Sequence, residues 1–79
     1  MALKIFAERL NQELDNMGVP QHDDERIEAF RRLIDTQKFK AASILHGELM
    51  PSPEVLDKIA NVLEVDINWL LGKESPTSH

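Results

Sequence analysis

Residues 25–47 read ERIEAFRRLIDTQKFKAASILHG, and how this stretch folds decides the architecture of the whole chain. In its first half, Ile27, Phe30, Leu33 and Ile34 recur at spacings that gather them on one side of an α-helix. The pattern breaks at Asp35 and Thr36. Asp35 can take the left-handed backbone that a tight turn between helices requires, though less readily than glycine. Thr36 offers a hydroxyl to cap the next helix. In the second half Ala41, Ile44 and Leu45 form an inner face, and Gly47 supplies a C-terminal stop. The stretch therefore predicts two short helices, near 24–34 and 37–46, joined by a turn of a few residues.

The flanks extend the same reading. Upstream, Leu3, Phe6, Ala7, Leu10, Leu14 and Met17 make one apolar stripe on a helix near 2–17. Gly18 ends it, and Pro20 keeps the chain from resuming it. Asp23 or Asp24 is placed to cap the next helix. Downstream, Ser52 followed by Pro53 is a helix start: a hydroxyl cap, then proline where its missing N–H costs nothing. Val55, Leu56, Ile59, Ala60, Val62 and Leu63 carry a helix near 52–63. Asp66 then caps a short last helix near 67–71 that contains Trp69, Leu70 and Leu71. The polar residues 73–79 read as a disordered tail. The expectation is one all-α domain over residues 1–72, with five helices and no sheet.

Composition narrows the function. The chain has 79 residues, 42% of them hydrophobic and 29% charged, values normal for a folded globular protein. A domain of this size buries only about 60% of its unfolded surface, so self-association would add useful stability. Absence of cysteine excludes disulfides and thiolate metal sites. His22, His46 and His79 show no metal-ligand spacing, so no metal or other cofactor is expected. No apolar run approaches the roughly 18 residues of a membrane span. Lys4, Glu8 and Arg9 break any signal-peptide core, and a cytoplasmic location is the default. No nucleophile is paired with a base, no glycine-rich phosphate loop is present and no catalytic carboxylate pair stands out, so the chain does not read as an enzyme. No small-molecule ligand is indicated either.

The net charge is −5, yet its distribution is uneven. Residues 1–25 and 47–79 each carry a balance of −4, whereas residues 26–46 carry +3 through Arg26, Arg31, Arg32, Lys38 and Lys40 against Glu28 and Asp35. A basic face on the two central helices suits phosphate binding whatever the total charge. Two helices joined by a tight turn, the second basic and thinly apolar, form the helix-turn-helix plan. Its second helix is narrow enough for the DNA major groove, about 12 Å wide. Small residues at Ala41, Ala42 and Ser43 permit a close approach to neighbours or to DNA.

Residues 5–73 resemble the Cro and phage-repressor helix-turn-helix family. The most specific part is GELMPSPEVLDKIANVLEVDINWLLGKE, which looks like the family's end segment, and FAERLNQELDNMGV is similar to its first helix. The resemblance implies a lambda repressor-like fold and binding of double-stranded DNA. Counted back from Gly47, it puts Thr36 at the end of the turn and the recognition helix at Gln37–His46. Base-edge contacts then fall on Gln37, Lys38, Phe39 and Ser43, and a phosphate or groove-edge contact on Lys40. Lysine donates to guanine O6 and N7, glutamine bonds adenine N6 and N7, and a phenyl ring can lie on a thymine methyl. Arg26 and the first amides of the second helix are phosphate candidates. The chain departs from the family pattern at Arg31, where a small residue is usual, and at Asp35, where glycine is usual. Either Arg31 turns outward to phosphate or the two helices splay.

The function these readings imply is a sequence-specific DNA-binding transcriptional regulator, prokaryotic or phage-like, acting as a homodimer. Leu49, Met50 and the last helix are the apolar candidates for the dimer face. The alternative is a protein-interaction module of the same fold without DNA binding, anti-repressor or antitoxin-like. Trp69 reads as the core plug of the last helix. Phe39 reads two ways, as a core residue or as a groove or interface contact, and His46 as a charge placed against the end of its helix.

Overall fold

The computed structural model describes residues 2–73. These form α1 (Ala2–Asn16), α2 (Asp23–Ile34), α3 (Lys38–Leu45), α4 (Pro53–Leu63) and α5 (Ile67–Leu70), with no strand among them. Residues 74–79, most of the tail assigned from the sequence, lie outside the described residues. Each helix begins and ends close to the expected position, and α4 and α5 start on the expected caps. Ser52 caps α4, its Oγ accepting from the Val55 N–H at 3.4 Å, and Pro53 follows at the first helical position. Asp66 caps α5, accepting from the Asn68 N–H at 2.9 Å.

Two expected caps are different. His22, not an aspartate, is the residue before α2; Asp23, Asp24 and Glu25 lie inside its first turn, where their negative charge complements the positive helix end. Gln37, not Thr36, is the residue before α3, and its side chain makes no capping bond. The helix-helix link is thus Asp35, Thr36 and Gln37. Asp35 sits at φ 55° and ψ 60°, the left-handed conformation the turn demands. Glu64 closes α4 in the same conformation, φ 58°, ψ 45°.

The core draws on all five helices. Phe6, Leu10 and Leu14 of α1, Phe30 of α2, Ile59 of α4 and Leu70 of α5 are fully buried, and Ala41, Ile44 and Leu45 give the inner face of α3. Three sequence assignments shift. Met17 is exposed: α1 ends at Asn16, and Gly18 at φ 83° turns the chain so that Val19 packs on the core instead. Leu33 is exposed because the buried face of α2 centres on Ile27, Phe30 and Ile34, and position 33 lies about 100° round the helix from position 34. Leu70 rather than Trp69 plugs the base of the domain. Trp69 is half-buried, with the Arg9 guanidinium 4.8 Å from its ring centroid and Arg9 Nη1 donating to its carbonyl.

Candidate nucleic-acid interface

α3 is held from behind and bare in front. Its inner residues, Ala41, Ile44 and Leu45, are buried, while Gln37, Lys38, Phe39 and Lys40 are all exposed. At about 100° per residue, Phe39 and Ser43 stand opposite the buried face, with Lys38 and Lys40 about 100° to either side of Phe39. Phe39 is 65% exposed, the most open large apolar side chain described. Lys38 borders a groove shared with Glu25, Glu28, Ala29 and Arg32 of α2. Lys40 borders a second groove, lined by Thr36, Ile44, Leu49, Met50 and Val55. Among the described residues neither lysine is ion-paired. Ser43 is half-buried, and its carbonyl accepts from the N–H groups of Glu48 and Leu49, at 2.9 and 3.2 Å. Gln37 stands at the helix start, away from the Phe39–Ser43 face. The expected base-edge set therefore divides into a central pair, Phe39 and Ser43, with Lys38 beside it and Gln37 at the end.

The phosphate set changes more. Arg26 is 6% exposed. Its Nε donates to the Pro20 carbonyl at 2.9 Å, Nη1 to the Asn11 carbonyl and Oδ1, and Nη2 to Asp15 and to the Val19 carbonyl at 3.1 Å. Every guanidinium nitrogen is used inside the fold, so Arg26 is a structural cation and has no donor left for phosphate.

Arg31 does not splay the helices, and it does not stand free. It lies along its own helix, Nε and Nη2 gripping both oxygens of Glu28 at 3.0 and 2.9 Å, while Arg32 Nε donates to the same carboxylate at 3.1 Å. This arrangement, hydrogen bonding first, holds the Glu28 carboxyl below its ordinary range and raises Arg31. The i, i+3 and i, i+4 spacings announce these contacts in the sequence. His46 turns to Asp23 of α2, its Nε2 2.9 Å from Oδ1, rather than to the end of its own helix. Of the basic segment, Lys38 and Lys40 are what remains unpaired beside Phe39.

No helix among the described residues is long and apolar enough to cross a membrane. Comparison of the chain with protein-family models, with curated proteins and with solved structures finds no match.

Proposed function

We propose that this protein is a sequence-specific DNA-binding transcriptional regulator of lambda repressor-like fold that inserts α3 into the major groove and works as a homodimer on paired half-sites. One observation carries the reading. The first turn of α3 projects an exposed phenyl ring between two unpaired lysines, on a helix whose opposite face is locked into the core. An aromatic this exposed contributes little to the fold, whereas a groove offers it thymine methyls and offers the lysines guanine edges and phosphates. The uncapped amides at the start of α3 add donors for the same anionic surface. A single helix reads few base pairs, so two copies at half-sites about 34 Å apart supply specificity.

The test is selection from random duplexes followed by titration of the enriched sequence, with light scattering of the free and bound protein. Enrichment of one motif by a dimer is the expected result. The absence of any enriched sequence would turn the reading toward a protein-interaction module. A monomer both alone and on a saturating duplex would remove the dimer.

A further inference from the structure

Glu28 sits between two arginines on the α2 wall of the groove that Lys38 borders. The Arg31 fork meets both of its oxygens and Arg32 meets one, yet all three side chains remain accessible, at 38%, 73% and 37% exposure for Arg31, Arg32 and Glu28. Carboxylate and phosphate oxygens suit the same planar guanidinium donors. A phosphate arriving at α2 must therefore compete with an acceptor already in place, only three and four residues away along the same helix.

We infer that Glu28 is a built-in competitor for phosphate: it retains Arg31 and Arg32 on α2 and so weakens the domain's sequence-independent hold on DNA. This inference rests on the DNA-binding reading above. Non-specific affinity comes almost entirely from cations that neutralise phosphate and release counterions. Two arginines held by a carboxylate contribute little to it, while base contacts from α3 are untouched. The result is a larger ratio of specific to non-specific binding, the quantity that matters among many competing sites. Because the Glu28 carboxyl is held in its charged form, the restraint operates at neutral pH.

The experiment compares the wild type, Glu28→Gln, Glu25→Gln and the double variant Arg31→Gln/Arg32→Gln on a duplex of unrelated sequence, between about 50 and 200 mM salt. Circular dichroism checks that each variant keeps its helices. Glu25 lines the same groove without holding either arginine, so its removal controls for simple loss of negative charge. Glu28→Gln is expected to bind several-fold tighter at low salt, with a log–log salt slope steeper by about one to two units. Glu25→Gln is expected to keep the wild-type slope. The double arginine variant is also expected to keep that slope, and its result does not depend on how Glu28→Gln folds. Equal gains from the two glutamate variants, an unchanged slope in Glu28→Gln, or a shallower slope in the arginine variant overturns the inference while leaving DNA binding intact. If no variant binds any duplex at the lowest salt, the DNA-binding reading falls and takes this inference with it.

Discussion

Arg26 Nη1 lies 3.0 Å from the backbone carbonyl of Asn11 and 3.1 Å from its side-chain oxygen, and the amide of that same Asn11 donates to the Leu45 carbonyl at 3.0 Å. One asparagine thus ties α2 to the C-terminal end of α3 through α1. Gly47 lets this end of α3 come close to α1, for a Cβ there would lie 3.2 Å from the Ala7 Cβ, and its φ of 74° disfavours any side chain. The helix that carries Phe39 is therefore fixed at its far end by polar contacts as well as by its buried face.

Arg26 should be costly to replace. Arg26→Ala leaves the carbonyls of Asn11, Val19 and Pro20 without this donor and removes the cation beside Asp15. Asp15 is partly exposed, which lowers the penalty below that of a fully buried pair. A loss of about 2–4 kcal/mol follows, or a fall in melting temperature of roughly 10–25 °C for a domain of this size. Arg26→Lys should recover only part of it, since one ammonium cannot span the same acceptors. Thermal unfolding decides the matter, and a change under about 1 kcal/mol in Arg26→Ala would contradict the assignment.

The helices were legible because apolar stripes are bounded by local signals: Gly18, the Asp35 turn and Gly47 follow α1, α2 and α3, and Ser52-Pro53 and Asp66 open α4 and α5. The role of Arg26 was not. Sequence shows a cation in a basic segment, and only the fold brings Asn11, Asp15 and the 19–20 carbonyls around it. The His46–Asp23 pair, 23 residues apart, was hidden for the same reason. The Glu28 contacts are different, since their spacing is visible along the chain and only a net charge count conceals them. Summing charges over residues 26–46 treats as available three arginines that the structure has already partnered.

Glu64 offers a test of backbone strain. A glutamate at φ 58° pays for its Cβ, and nothing in the residues EVD warns of a left-handed conformation there. Glu64→Gly is expected to stabilise the domain by about 0.5–1 kcal/mol, because relief of that strain outweighs the added freedom of the unfolded chain. Glu64→Ala keeps the Cβ and should bring no such gain. Equal melting temperatures for the two variants would show that the strain is negligible.

The acid side of the pH profile reports on Glu28. Its folded-state pKa is lowered, by hydrogen bonding from Arg31 first. The sign is direct: the stabilisation is present above the ordinary glutamate value, about 4.3, and is lost as pH falls through the lower folded value. In carboxyl-carbon NMR, Glu28 should titrate below that ordinary value, and the Arg31→Gln/Arg32→Gln variant should bring it back up. An unshifted Glu28 in the wild type would mean that the three-residue cluster does not persist in solution.

Phe39 separates folding from recognition. At 65% exposure it has little to lose in the folded domain, so Phe39→Ala should change stability by no more than about 0.5 kcal/mol. On a selected duplex the same variant should bind more weakly. If the ring lies on a thymine methyl, replacing that thymine by uracil removes the contact from the DNA side, and wild type on the uracil duplex should match Phe39→Ala on the thymine duplex. Combining both changes should then cost no more than either alone, which is the signature of one shared contact. The lysines should fail in distinguishable ways. Lys38→Ala should cost about 1–3 kcal/mol on the cognate site and relax preference at one position. Lys40→Ala should weaken all sequences alike and flatten the salt slope by about one unit. If Phe39→Ala binds as tightly as the wild type, or if its loss and the uracil loss add in the combined experiment, the ring does not lie on that thymine methyl, and the groove role given to Phe39 falls.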